Sequence, residues 1–490
     1  MDSDISPVAV RAVRGSLYSV GASMVTLVLG ITRSILLARL LLPEHFGVVA
    51  LALFYLGLAS RLRGFGLNMA LIHRQEVDET FLRTLFTLRI GLDLATSGLL
   101  LMVAPFLQRM YPQMPGLGSV IAVLIVAYIL SDLSSLQETL LRKRLAFSYL
   151  AWMDILASAV MTLVAPYLAW RGWGIWALVA ERLSGLGMRF LLSWGPFRLW
   201  RPRFGWDREV VRWLWRYGRP SWVAANLTYL LDTFDDFWVG TALGKTPLGY
   251  YAKAYEFARY PRRVFANPLV TVFGPVFARV QDKRVELSRA FYRSALVILR
   301  TGFLIAGVFG LAMPEFIHYV IGEKWWPMLW TFRLMLVYIV LDPILMLIGN
   351  LLFATGRPDA MRDARIVQTV FFIPAVIVGA SLAGINGVAV AADAMLLVGG
   401  WRLYRPLREM VDFSWRRLVV HPCVAMTLAW TVGFGLEQTF PDPSWQALLL
   451  KTGVFLSIFG GFLLISERED YAKGLRLMWQ ALWGQRARVM

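Results

Sequence analysis

Between Leu230 and Pro275 an apolar stretch carries charges at spacings that could do chemistry. Asp232, Asp235 and Asp236 stand at i, i+3 and i+4, so a helix puts all three on one face. Three like charges on one face repel. Either cations from other helices compensate them or one or more of the carboxyls holds a proton. The next segment offers Lys253, Glu256, Arg259 and Arg263, and Lys253, Glu256 and Arg263 fall close to one stripe. Two uses stay open for this group. It lines a wet transport cavity, with proton or cation binding at the acids, or it is an ion-pair cluster that only sets helix register. Arg33, Arg61, Arg63 and Arg300 also lie inside apolar segments, and Arg39 lies near a helix end where it can snorkel. A guanidinium binds pyrophosphate or an acidic sugar in two-point fashion, so arginines facing a cavity suit an anionic substrate. Arg89 and Asp93, at i and i+4, predict an internal salt bridge. Asp132, Glu138, Asp154, Arg333, Asp342 and Asp393 read singly as helix-packing groups.

Other chemistry finds no support. Cys423 is the single cysteine, which excludes an internal disulfide or a thiolate metal cluster. His45, His73, His318 and His421 are scattered without metal-ligand spacing. No phosphate-binding loop follows a strand, no nucleophile–His–acid arrangement is visible, and no cofactor is implied. The chain reads as a non-enzyme.

The elements that must position these groups are membrane helices. The chain is 58% hydrophobic, against roughly 45–50% for soluble domains. Its mean hydropathy is +0.57. Apolar windows predict helices over 14–41, 46–72, 81–108, 117–141, 150–170, 174–194, 219–243, 249–278, 288–313, 328–355, 364–383, 387–408, 418–437 and 446–466. The expected class is an all-α polytopic membrane protein of about 14 helices. Prolines 261, 268 and 275, seven residues apart, predict that the eighth helix bends. The N-terminal apolar run is too long for a signal peptide and reads as an uncleaved first helix.

The net charge of +18 does not point to nucleic acid, because the basic residues fall in alternate loops. The opposite loops hold only Arg109, Arg171, Lys245 and Lys324. That asymmetry predicts both termini in the cytoplasm. Residues 1–194 form an expected N-terminal lobe of six helices, 195–218 a basic cytoplasmic linker and 219–408 a second lobe of six. Residues 409–490 hold the last two helices and a basic amphipathic tail. Within the linker, Asp207 to Tyr217 reads as an interfacial amphipathic helix or as a plain basic connection. A weak repeat supports two lobes. Phe46-Gly47-Val48-Val49-Ala50-Leu51-Ala52 and Leu248-Gly249-Tyr250-Tyr251-Ala252-Lys253-Ala254 both read apolar-Gly-x-x-Ala-x-Ala, each at the first hairpin of its lobe.

A family likeness rests on these motifs taken in order. They are Ala38-Arg39-Leu40-Leu41-Leu42-Pro43-Glu44-His45-Phe46-Gly47, Gly64-Phe65-Gly66 with Ala70-Leu71-Ile72, and Leu248 to Ala254. Pro275 with Arg279-Val280-Gln281-Asp282, and Ala354-Thr355-Gly356-Arg357-Pro358, complete the set. Over roughly residues 10–410 the chain resembles the polysaccharide (Wzx-type) flippases of the multidrug/oligosaccharidyl-lipid/polysaccharide exporter superfamily. The resemblance implies a two-lobed bundle in the bacterial cytoplasmic membrane. It implies movement of a polyprenyl-pyrophosphate-linked oligosaccharide by alternating access of a cationic cavity, with proton or sodium coupling as an option. Implied partners are that lipid-linked glycan, membrane lipids and a polysaccharide polymerase or assembly protein. A cation-coupled multidrug or small-molecule antiporter is the alternative within the superfamily. A membrane glycan polymerase or ligase is a further alternative, which would need a longer outer loop than any present.

Overall fold

The computed structural model describes residues 7–261, 264 and 267–468. Arg263 and the predicted amphipathic tail lie outside the described residues. Among those described the chain is all helical, without a strand. The order is α1 (Pro7–Leu40), α2 (Pro43–Gly64), α3 (Leu67–His73), α4 (Glu79–Met110), α5 (Leu117–Lys143), α6 (Phe147–Trp170), α7 (Ile175–Trp194) and α8 (Arg208–Ala242). There follow α9 (Lys245–Pro261), α10 (Asn267–Arg279), α11 (Arg284–Phe316), α12 (Leu329–Ala354), α13 (Pro358–Met410), α14 (His421–Thr439) and α15 (Trp445–Ser466). Ten of the described helices are long and apolar enough to cross a membrane. Glu181, Arg182 and Arg189 keep α7 out of that group, and Asp232, Asp235 and Asp236 do the same for α8.

Two elements depart from their expected form. The predicted second helix is two helices, because Phe65 and Gly66 adopt left-handed backbone at φ 34° and 64°. The predicted eighth helix is covered by α9 and α10, and residues 262–263 and 265–266 between them lie outside the described residues. α9 is described to Pro261, and α10 from Asn267. The other departure is α8, which runs unbroken from Arg208 to Ala242, so residues 208–217 form neither a separate interfacial helix nor a plain connection. Asp207 starts α8 by accepting from the Glu209 and Val210 amides at 2.8 and 2.9 Å. Val210 and Leu214 are then buried against Leu71, Phe81, Leu85, Phe86 and Trp200 instead of facing lipid. Burial of each such side chain contributes about 1.5–3 kcal/mol. The basic stretch before α8 is laced down too. The Gln137 side chain donates to the Trp200 carbonyl (2.6 Å) and accepts from the Leu199 amide (3.0 Å), while the Trp200 indole donates to Glu79 (3.0 Å).

α13 runs over 53 residues, about 80 Å at 1.5 Å per residue and far longer than a ~30 Å hydrocarbon core. Ala383 and Gly384 resolve this. Gly384 sits at φ 56°, ψ −137°, and the chain kinks there, at the expected junction between two crossings.

The chain forms two compact units, Met1–Lys253 and Ala254–Met490. In the first, α1 packs on α6, α5 to α7 pack together, and α2 lies among α4, α5, α7 and α8. At the start of α2 the two glycines of the sequence repeat meet. A Cβ on Gly47 would lie 1.8 Å from the Lys245 carbonyl oxygen, and one on Gly249 would lie 1.9 Å from that of Pro43. Lys245 and Glu44 pair across the same contact at 2.8 Å.

In the second unit, α11 and α12 carry α10, α13, α14 and α15. Three ion pairs fix the last two helices. Lys451 of α15 meets Glu315 of α11 at 2.6 Å, Arg333 of α12 meets Glu437 of α14 at 2.6 Å, and Arg300 of α11 meets Glu467 after α15. A single ion in the hydrocarbon costs roughly 2.5–3.5 kcal/mol on insertion scales, so each charge here needs its partner.

Candidate functional site

The left-handed break after α2 creates the site. A helix end leaves its last four carbonyls without intrahelical donors. Here α8 supplies one. The Trp222 indole donates to the Arg61 and Leu62 carbonyls at 3.1 and 2.9 Å. The Trp222 ring stacks on Phe65 at 4.8 Å with the planes 6° apart. One turn earlier, Gly218 lets α8 touch the break itself, since a Cβ there would lie 1.9 Å from the Phe65 carbonyl oxygen. Phe65 therefore holds a backbone conformation that usually favours glycine because both its ring and its carbonyl are pinned.

Behind this break opens a cavity of about 510 Å³, lined by charged groups of three helices, α2, α4 and α5, and the aromatic faces of Phe65, Tyr128, Trp222 and Tyr229. Arg63 is buried, with Nε 3.1 Å from Asp93 Oδ1 and Nη2 against Asp132 Oδ2. Arg89 donates to the Ser135 hydroxyl and the Asn68 Oδ1, both at 2.5 Å, and to the Asp132 carbonyl at 3.2 Å. Arg61 is exposed, 5.8 Å from the centre of the Tyr229 ring. Tyr229 is fixed by a hydrogen bond to the Phe54 carbonyl at 2.8 Å. Three guanidinium groups stand against two carboxyl groups in the pocket. Its chemistry is anion binding beside flat apolar faces.

The expected Arg89–Asp93 bridge is not formed. Asp93 meets Arg63 of α2 instead, because the break in α2 turns Arg63 inward, while neutral acceptors engage Arg89. Of the predicted cavity residues, Arg61 and Arg63 line the pocket. Arg33 pairs with Glu181 at 2.8 Å, joining α1 to α7. Arg39 is exposed at the end of α1. Lys253 is buried, with Nζ 3.0 Å from the Ser34 hydroxyl and 4.4 Å from the centre of the Phe46 ring. Arg259 lies over Tyr255 at 5.1 Å, and Arg300 is engaged by Glu467 and by the Arg417 and Leu418 carbonyls.

Of the acids on α8, Asp235 is buried and accepts from the Tyr251 hydroxyl at 2.7 Å, Asp236 is half-buried and Asp232 is exposed. Glu256 accepts from the Tyr260 hydroxyl at 2.8 Å. Asn68, Tyr128, Ser135, Trp222 and Tyr229 were not expected at a site. They are neutral, and a search for intramembrane charge passes over them. The Gly-Phe-Gly break was the signal that could have found the place.

A helical membrane bundle with a cationic pocket inside it is the architecture of a multi-pass transporter. By its match over residues 36–329, the chain belongs to the family described as polysaccharide biosynthesis protein. It is 26% identical over 390 residues to the lipopolysaccharide biosynthesis protein WzxC of Escherichia coli, covering 77% of each chain. It is 26% identical over 458 residues to the succinoglycan biosynthesis transport protein ExoT of Rhizobium meliloti, covering 89% of each. Among solved structures, the fold is similar to the lipid II flippase MurJ in its inward closed conformation. The TM-score is 0.75 at 12% identity, over 94% of this chain and 100% of that one. An inward-facing multidrug resistance MATE family transporter gives a TM-score of 0.59 at 14% identity, over 80% of this chain and 98% of that one.

Proposed function

We propose that this protein moves a polyprenyl-pyrophosphate-linked oligosaccharide across the bacterial cytoplasmic membrane for cell-surface polysaccharide synthesis. The observation that carries the reading is the pocket. Arg61, Arg63 and Arg89 meet inside membrane-spanning helices, around a space large enough for a pyrophosphate and its first sugar. Arginine suits the pyrophosphate because its planar fork engages two oxygens at once. The aromatic walls suit a sugar ring. The named relatives, a lipopolysaccharide biosynthesis protein and a succinoglycan transport protein, support the same substrate class. A multidrug antiporter would favour an acidic pocket for cationic drugs, and the excess of arginine speaks against it.

The loop charges support cytoplasmic termini, an orientation in which the pocket would lie in the cytoplasmic half of the bundle. Counting α7, α8, the α9–α10 pair and both halves of α13 as crossings gives the fourteen helices, in lobes 1–194 and 219–408 with a closing pair. The glycine contact between α2 and α9 is then the outer closure. Proton or sodium coupling would fall to Asp232, Asp235, Asp236 or Glu256. A polymerase or assembly protein would take up the delivered glycan.

The test is export of surface polysaccharide in a host lacking its own flippase and complemented with this chain. Arg61→Glu is expected to abolish export while the protein still inserts in the membrane at normal abundance. Export undiminished by Arg61→Glu and by Arg63→Gln alike would remove the pocket from the path.

A further inference from the structure

The three arginines of the pocket are held in three different ways. Arg89 makes three directed hydrogen bonds to neutral acceptors and is satisfied. Arg61 is exposed at the pocket. Arg63 is 5% exposed and faces two carboxylates, yet its Nε and Nη2 make no aligned hydrogen bond with either. Asp93 Oδ2 is also buried without a donor. Charge holds Arg63 in place, but directed bonds do not. A hydrogen bond weakens steeply when misaligned, whereas a well-aligned charge-assisted one is roughly twice as strong as a neutral one. An oxyanion that can align with the Arg63 fork therefore has an advantage over the carboxylates already there. Asp132 is the partner able to leave. Its side chain is 25% exposed, while its carbonyl is pinned by Arg89, so the carboxylate can swing without moving α5.

The geometry points to Asp132 as a specificity-determining residue, an internal anion that occupies Arg63 in the empty pocket and yields it to a substrate phosphate. This rests on the reading of the pocket as the seat of a phosphate-bearing lipid. Asp132 acts twice. On loading it rejects anions too weak to displace it, and on unloading it reclaims Arg63 and helps expel the pyrophosphate. Binding is therefore weaker than three arginines alone would give, and release is faster.

The experiment measures binding of inorganic pyrophosphate, polyprenyl pyrophosphate and acetate to the full chain in lipid nanodiscs, with glycan export measured in parallel. Asp132→Asn is expected to bind both pyrophosphates on the order of tenfold tighter, because apparent affinity scales with the fraction of pockets whose Arg63 is free. It should also gain acetate binding and export more slowly. Asp132→Ser carries the same test if the asparagine variant does not fold, and Asp132→Glu, which keeps the charge, should stay near the parent affinity. Parent-like or weaker pyrophosphate binding by the neutral variants, in a chain whose binding is lost in Arg61→Gln, overturns this role for Asp132 and leaves the pocket reading standing. No pyrophosphate binding by any form overturns both. Tightening for inorganic pyrophosphate but not for the lipid would mean that the pocket serves a free phosphate, and the transport reading would fall.

Discussion

Replacement of Gly249 by alanine tests whether the contact between α2 and α9 is a closure. The added methyl would sit 1.9 Å from the Pro43 carbonyl oxygen, where 3.0 Å is the least a real Cβ tolerates. The obstacle is backbone, so the two helix starts must separate by at least 1.1 Å (3.0 less 1.9). Overpacking of this kind costs about 1–3 kcal/mol. At a factor of ten for every 1.4 kcal/mol, the closed arrangement should lose about 5- to 140-fold in population relative to any open one. The assay is labelling by a membrane-impermeant thiol reagent at Glu44→Cys, in a chain whose Cys423 has been changed to serine. Faster labelling in Gly249→Ala, with reduced glycan export, is the expected result. Gly47→Ala should act the same way, since its methyl meets the Lys245 carbonyl at 1.8 Å. If neither alanine variant changes labelling or export, the contact is ordinary packing and the reasoning fails.

Two further perturbations follow from the same geometry. Trp222→Phe keeps the stack on Phe65 but removes the donor to the Arg61 and Leu62 carbonyls. It should cost about 0.5–1.5 kcal/mol of thermal stability in detergent and widen access to the pocket, read as faster labelling at Met69→Cys. Lys451→Met strands Glu315, which is 2% exposed, and should cost about 3–5 kcal/mol in a thermal melt. The double variant Lys451→Met with Glu315→Leu should recover most of that loss. No recovery would mean that the pair contributes through packing rather than charge.

The sequence reading succeeds where one physical signal dominates. Apolar length locates most of the helices, and the expected boundary between 383 and 387 coincides with the kink at Ala383 and Gly384 inside α13. It fails where a local signal has a distant competitor. Arg89 and Asp93 are at the spacing of a helical ion pair, but Arg63, 30 positions before Asp93, takes the acid. Val210 and Leu214 have the pattern of a lipid-facing stripe. Periodicity reports an apolar face without saying whether lipid or protein covers it, and here it is protein. Similarly, the repeat predicts that Gly47 and Gly249 are equivalent, but only the fold reveals that they touch. The pocket was half legible for the same reason. Its arginines stand out in apolar surroundings, while the tryptophan and tyrosines that shape it look like every other membrane aromatic.

The ion pairs that fasten α14 and α15 have a bearing on how the chain can change over time. The family match covers residues 36–329, which takes in α11 but neither α14 nor α15. Glu315 and Arg300 belong to α11, and their counter-charges Lys451 and Glu467 come from α15 and the residue that follows it. Loss of the last two helices would leave those ions facing hydrocarbon, at roughly 2.5–3.5 kcal/mol each. A lineage that acquired such pairs cannot shed the helices in one step. It must first neutralise α11, residue by residue, while each intermediate is less stable than its parent. The last two helices are thus retained by an electrostatic ratchet, whether or not they ever meet the substrate.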